Sequence, residues 1–420
     1  MPGKTISEKI LSAKSGADAR AGDVVVCRVD GALGTDGSTP MALDYFAAMG
    51  GEHVHDPGSI VFALDHYAPA PSRASAALHQ RMREFAARHQ ILLWDVGEGI
   101  GHQLIVESGR ALPGGLVVGA DSHAVTYGAL NCFGTGIGSS DLAAILISGE
   151  IWLRVPQSIR VVLRGHLADG AFPKDIALEL ARRVGADGAT YQTIEFAGDG
   201  VAHLDLEDRL VLSNLSVEMG AKAGLFPADD HTFAYLRGRT AQTYAPVDAD
   251  ADAIYSREIV ITLDQLTPRV ALPHQVDRVE PIATAANTPV QMVYLGTCTG
   301  GRVRDFHQAR DVLKAVGGVA PGVQLIVTPA SREVLETIAR DGTLADFIAM
   351  GAVIGTPGCG SCCGTCGAIP GDGVNVISTA NRNFKGRMGN SDAFIYLASP
   401  AACAASAARG TITDPREIRP

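Results

Sequence analysis

The stretch S-I-V-F-A-L-D-H, Ser59–His66, is a short apolar run that stops at once on an acid–His pair. It reads as a strand, and a helix is predicted next, from about Ser72 to His89, with Leu78, Met82, Phe85 and Ala86 on one face. His79 and His89 in that helix read as solvated. A second strand, I-L-L-W-D-V (91–96), runs into G-E-G-I-G-H-Q, which carries His102. A third, G-L-V-V-G-A (115–120), runs into Asp121-Ser122-His123. An Asp65-His66 pair at a strand end can present a proton carrier or form a structural hydrogen bond. Three such His-bearing ends imply one shared site along one edge of a parallel sheet.

Working outward, Gly22–Asp30 reads as a buried strand with Cys27 in its core, followed by a loop over 31–40 and a helix from about Met41. Thr35, Asp36 and Ser38 are either ligand-facing residues or turn and cap residues. The segment F-G-T-G-I-G-S-S-D-L-A-A-I-L (133–146) opens a helix after what reads as a loop. Its glycines lack the G-x-G-x-x-G spacing of a dinucleotide site and suggest close backbone approach instead.

Beyond Pro156, strands over 159–163 and 191–196 alternate with helices over 173–184 and 212–224. Asn214 and Glu218 share one face of the last of these, and Lys222 could pair with Glu218 at the surface. Residues 238–257 read as an acidic, alanine-rich linker, and a last strand–helix unit starts near Glu280. The fold class is α/β with doubly wound, parallel-rich sheets, in three domains expected at 1–156, 157–278 and 279–420.

At 420 residues, 46% hydrophobic and with 48 glycines, the chain has the composition of a soluble α/β enzyme. Its net charge of −10 argues against nucleic acid or an anionic membrane as main partner. The opening M-P-G-K-T-I-S-E-K-I-L is a helix candidate rather than a signal peptide, and no apolar run suits a membrane span. The expected location is the cytoplasm, where eight cysteines point to metal binding or catalysis before disulfides.

Those cysteines gather in the last unit. Cys298 ends the strand 291–295, and Cys359, Cys362, Cys363 and Cys366 crowd a glycine-rich loop. Asn381, Arg382, Lys385 and Arg387 follow, and their guanidinium forks suit a carboxylate. Three thiolates from two loops could hold an iron–sulfur cluster with one iron lacking a protein ligand. Spacing alone leaves zinc or a redox C-x-x-C pair open. Cys132 and Cys403 read as structural.

With these segments assembled, the chain resembles the large subunits of the aconitase superfamily, nearest to the bacterial and archaeal 3-isopropylmalate dehydratase and homoaconitase group. The motifs that carry the resemblance run from V-D-G-A-L-G-T-D-G-S-T-P through D-H-Y-A-P-A (65–70), G-I-G-H-Q (99–103) and G-A-D-S-H-A-V-T-Y-G-A-L (119–130). They continue with D-G-A-T-Y-Q-T-I-E-F (187–196), G-T-C-T-G-G-R (296–302) and N-R-N-F-K-G-R-M-G (381–389).

The resemblance implies one [4Fe-4S] cluster with an open iron, held by Cys298, Cys359 and Cys362, at the centre of three α/β domains of aconitase type. It assigns proton transfer and hydroxyl handling to Asp65, His66, His102, Asp121, Ser122 and His123. Asn214 and Glu218 match residues near the open iron, and Asn381, Arg382 and Arg387 match substrate-carboxylate contacts. The implied activity is a hydro-lyase acting on a small di- or tricarboxylate, isopropylmalate first, with homoaconitate, methylmalate or dimethylmalate as alternatives. The family's base is a serine on a swivelling domain, implied here to be a separate small subunit. A non-catalytic metal- or RNA-binding protein is the remaining class. Gly300 and Thr35 depart from the family's usual residues, as do Cys363 and Cys366.

Overall fold

The computed structural model describes residues 2–418. Its first sheet has five parallel strands in the order Leu92–Trp94, Ile60–Ala63, Gly31–Thr35, Leu116–Gly119, Phe133–Gly136. The middle strand is G-A-L-G-T, which the sequence reading places in a loop. Small residues hid it: all five are buried, and a Cβ at Gly34 would press on the Phe62 ring at 3.0 Å. Alternate residues serve opposite faces, as a strand's two-residue period requires. Ala32, Ile60, Phe62, Leu116 and Val118 enter one apolar cluster, and Leu33, Val61, Ala63 and Val117 the other. Because the strands are parallel, the residues that follow them, Asp36, Asp65 and Asp121 among them, arrive on one edge.

Two further expectations are corrected here. Val24–Arg28 is not a buried strand. It pairs only with Glu150–Arg154, and Val24 and Val26 are 66% and 55% exposed, although Cys27 is buried. The glycine run at 133 begins as the edge strand Phe133–Gly136, not as a loop, and then turns into the helix Ser139–Ser148.

A second parallel sheet has the order Ala223–Leu225, Thr193–Ala197, Ser158–Arg164, Arg257–Thr262. Buried Glu195 accepts hydrogen bonds from the amides of Ile6 and Ser7, both at 3.1 Å, so the N-terminus of the helix Ile6–Ser15 is fastened to this sheet. A carboxylate there satisfies amides that have no partner within the helix.

The third sheet has seven strands, in the order Val279–Pro281, Arg269–Ala271, Phe394–Leu397, Asn375–Ser378, Met292–Leu295, Gln324–Val327, Val353–Ile354. Its last five strands are parallel, and Arg269–Ala271 runs antiparallel to both neighbours. That strand joins this sheet ahead of residue 279. Cys298 follows the strand Met292–Leu295, Cys359 and Cys362 follow Val353–Ile354, and Asn381 follows Asn375–Ser378. Among the described residues, no helix is long and apolar enough to cross a membrane.

Candidate active site

The carboxyl-terminal edge of the first sheet carries a continuous network of acids and imidazoles. His66 Nδ1 lies 2.8 Å from Asp65 Oδ1, and its Nε2 lies 3.3 Å from Asp121 Oδ2. The amide of Gly101, which opens the helix Gly101–Glu107, donates to Asp65 Oδ2 at 2.8 Å. His102, in the same helix, sets Nε2 against Asp121 Oδ1 at 2.9 Å and Nδ1 against the Tyr127 hydroxyl at 3.0 Å. His123 Nε2 reaches Glu218 Oε1 at 2.8 Å. Arg382 Nε donates to both Glu218 oxygens at 2.8 and 2.9 Å, and its Nη2 donates to Ser122 Oγ at 2.9 Å. All three sheets thus contribute to one network.

The charges are mutually stabilising. Burial opposes the positive form of His66, but Asp65 and Asp121 outweigh it and hold the imidazole well above its usual pKa. Burial likewise opposes the negative form of Asp121, yet His102, His123 and His66 keep it well below the usual carboxylate range. Glu218 is lowered against burial by His123 and Arg382, and His123 is raised against burial by Asp121 and Glu218. His66 and Asp121 keep 19% and 18% of their side chains exposed, whereas Asp65 is sealed. The imidazole and the carboxylate that reach solvent, beside the part-exposed Arg382, are therefore held as an ion pair with the proton on His66.

The thiols lie beside this network. Asn214 Nδ2 donates to Cys298 Sγ at 3.1 Å and to Thr126 Oγ1 at 2.8 Å. Asn381 Nδ2 donates to Cys298 Sγ at 3.4 Å, while its Oδ1 accepts from Cys362 Sγ at 3.6 Å. Arg387 Nη2 donates to Cys362 Sγ at 3.3 Å. Hydrogen bonding from Cys359 pulls Cys362 well below the usual thiol value, against burial and with the help of Arg387. Burial, then Cys362, push Cys298 up to about 12. A cation or a metal must therefore accompany ionisation of the set.

The donor set fits a cluster better than one zinc ion. Four sulfurs on zinc sit about 3.8 Å apart, given Zn–S bonds of about 2.3 Å. Among the described residues, the one trio of ligating atoms within 4.8 Å of one another is Asp36, Asp65 and His66, which includes no sulfur. Cys359 and Cys362 lie within hydrogen-bonding reach of each other, whereas Cys298 joins them through Asn381, so the three thiols do not close on one ion and suit a core of several irons. Cys366 spends its thiol on the carbonyls of His66, Ala68 and Gly360, and Cys363 meets Thr365 Oγ1 at 2.8 Å. Thr297, just before Cys298, holds φ at +74°, and for a β-branched residue that costs about 1–3 kcal/mol. Thr379 braces this turn: its Oγ1 accepts from the Gly296 amide at 3.0 Å, and its carbonyl accepts from Thr299 Oγ1 at 2.7 Å. Thr379 also fills the space that a side chain at Gly300 would need.

Three sequence readings change in detail. Asn214 is the last residue but one of the α-helix Leu206–Leu215 and Glu218 lies in the following 3-10 turn, so the two do not share a continuous α-helix. Lys222 is not the partner of Glu218; it lies over the Tyr191 ring at 5.3 Å. His79 is not solvated: it is 2% exposed, with Nε2 2.8 Å from Asp36 Oδ2. Sequence reasoning also missed Tyr127, Thr126 and Lys174, whose Nζ donates to the carbonyls of Thr379 and Ala380 at 3.1 and 2.6 Å. Thr126 and Tyr127 lay inside a quoted motif, 119–130, but nothing in the spacing marked them.

Residues 8–410 match the family model described as "Aconitase family (aconitate hydratase)". The chain is 45% identical over 420 residues to "3-isopropylmalate dehydratase large subunit 1" of Thermotoga maritima, covering 99% of this chain and all of that one. It is equally 45% identical over 423 residues to "Homoaconitase large subunit" of Thermus thermophilus, covering 99% of this chain and 98% of that one. The crystal structure of Thermococcus kodakaraensis aconitase X (holo-form) superposes with a TM-score of 0.51 at 11% identity, over 87% of this chain and 88% of that one, a likeness of fold. The chain belongs to the aconitase family, a membership that implies hydro-lyase chemistry and an iron–sulfur cluster.

Proposed function

We propose that this chain is the large, cluster-carrying subunit of a hydro-lyase that isomerises a malate-type acid by dehydration and rehydration. Conversion of 2-isopropylmalate to 3-isopropylmalate, in leucine biosynthesis, is the first activity to test. The observation that carries the reading is the junction at Asn381–Arg382: Asn381 touches Cys298 and Cys362, and the next residue grips Glu218 of the acid–His network. Bound at Cys298, Cys359 and Cys362, a [4Fe-4S] cluster with one open iron would supply Lewis-acid polarisation of a substrate hydroxyl and carboxylate.

The chain's own groups divide the remaining work. His66 Nε2 carries the proton that the departing hydroxyl needs, and Asp65 fixes the ring through Nδ1. Asp121, held by His102, keeps that imidazole charged until the proton is used. Arg382 is held to Ser122, and the unused guanidinium N–H groups of Arg382 and Arg387 offer charge-assisted bonds to substrate carboxylate. Glu218 and His123 set the angle of Arg382. The base that removes the proton alpha to a carboxylate is assigned to a small subunit, in accord with the "large subunit" names of the relatives. The assembly is placed in the cytoplasm.

Homoaconitase is a second reading, favoured by the equal identity of the Thermus relative. The test has two stages. Anaerobically purified chain should hold about four irons and four sulfides, lost on Cys298→Ala. With a small subunit added, a panel of isopropylmalate, homocitrate, methylmalate and dimethylmalate then assigns the substrate. One tightly held zinc and no sulfide would overturn the cluster reading. Full turnover by the isolated chain would overturn the need for a partner.

A further inference from the structure

His66 is held by more than its neighbour Asp65. Asp36, fully buried just after the strand Gly31–Thr35, accepts the His66 amide on Oδ1 at 2.9 Å and the Tyr67 amide on Oδ2 at 3.0 Å. Its Oδ1 also lies 3.7 Å from His66 Nδ1. Oδ2 has a further partner, Nε2 of His79 at 2.8 Å. His79 comes from the long helix Arg73–His89, which supplies none of the residues assigned above to catalysis, substrate or cluster. On the other side, the His66 carbonyl accepts from Thr365 Oγ1 at 2.7 Å and Cys366 Sγ at 3.2 Å, both in the cysteine loop.

We infer that Asp36 and His79 form a buried positioning pair that aims His66 Nε2 at the substrate hydroxyl. Two backbone amides would already suffice to complete a turn around Asp36. The imidazole does something else: it fixes which way the carboxylate plane faces, and hence where the His66 amide is drawn. Asp65 fixes the ring about its own axis, and Asp36 fixes the backbone that carries it. The cysteine loop pins the carbonyl, so the proton donor and the cluster ligands are set in one frame. An isolated His buried on a helix face is ordinarily a packing residue. Here, among the described residues, the one hydrogen bond of its ring goes to the carboxylate that holds the proton donor's backbone. The inference rests on His66 acting as that donor.

The test uses His79→Leu and His79→Gln in the whole chain, cluster loaded and small subunit added. Gln keeps an N–H where Nε2 stands; Leu does not. Leu should lower kcat by about 10-fold or more, since a displacement below 1 Å at a reacting atom is enough. KM should stay within about twofold, and Gln should recover most of kcat. Iron content should match wild type in both. Amide hydrogen exchange at Tyr67, measured without substrate or partner, should quicken about 10-fold in Leu and not in Gln, with distant strands unchanged.

Equal kcat in all three proteins, or an equal fall in Leu and Gln, would overturn the pair's role. So would exchange that quickens throughout the first sheet. If wild type dehydrates no acid in the panel, the functional reading fails on its own. The exchange contrast between Leu and Gln then decides whether His79 holds the His66 backbone.

Discussion

Replacing Glu218 with Gln removes one negative charge from between two cationic groups and leaves the volume unchanged. Glu218 makes three close contacts: one to His123 Nε2 and two to Arg382 Nε. Each charge-assisted hydrogen bond contributes about 1.5–3 kcal/mol, against about 1 kcal/mol for a neutral one. With the Gln oxygen at the Oε1 position its NH2 group faces Arg382 Nε, and turned the other way it faces His123 Nε2, so a donor meets a donor in either orientation. The anion that holds the imidazole charged is gone and Arg382 loses half of its grip. A total of about 3 kcal/mol follows, which is about 100-fold in kcat/KM. The assay is the ultraviolet absorbance of the unsaturated acid formed on dehydration, with small subunit present and iron content matched. Stability gives a second reading that needs no substrate. Glu218 has its pKa lowered in the folded chain, so its contribution is complete above the unfolded value of about 4.3 and is lost as pH falls through the folded value. The stability gap between wild type and E218Q, from urea titrations, should therefore close below about pH 4, and it should also narrow as pH rises through the titration of His123, which Glu218 helps to raise. Activity within about threefold of wild type would refute the claim that Glu218 sets the angle of Arg382. A gap that widens as pH falls below about 4 would refute the charge assignment.

Cys298→Ser should lose about all of the iron, while Cys366→Ser, which meets only carbonyls, should keep it; iron and sulfide analysis separates the two. Glu195→Gln should cost about 1–3 kcal/mol, because the Ile6 and Ser7 amides then compete for one neutral oxygen, and a melting curve should show it without change in iron content. Burial lowers Lys174 to about 8, so the folded chain binds fewer protons there than the unfolded chain between about pH 8 and about pH 10. Wild-type stability should rise across that interval, and Lys174→Met should abolish the rise while raising KM, since the carbonyls before Asn381 lose their donor.

The elements that sequence reading found are those with a strong apolar signature. Ile60–Ala63 and Leu116–Gly119 are runs of large residues, so their strand character and the polar residues that follow them were legible. Gly31–Thr35 was not, because glycine and alanine carry little strand propensity. At Gly34 adjacent side chains leave room for no Cβ, and that requirement lives on Thr39, in the next helix, and on Phe62, in the neighbouring strand. Val24–Arg28 failed in the opposite direction: three valines look buried, yet the strand has solvent on one face.

The same division runs through the site. His66, His102 and His123 announce themselves because each follows a readable strand within a few residues, although His102 and His123 stand in the first turns of the helical segments that come next. His79 lies inside an amphipathic helix on the same face as the buried Ser75, Met82 and Ala86, a spacing that marks burial but no partner, and only the fold brings it under Asp36. Lys174 looks like an ordinary first-turn residue, yet its target is a pair of carbonyls just past the strand Asn375–Ser378 of the third sheet. Groups that would touch substrate were thus marked by local pattern, whereas groups that aim them were marked only by three-dimensional proximity. Aiming is a property of distance between elements, and its errors are costly: His66 Nε2 stands 3.3 Å from Asp121, at the outer margin of a hydrogen bond, so a small drift of the backbone under Asp36 would break the contact that keeps the proton in place.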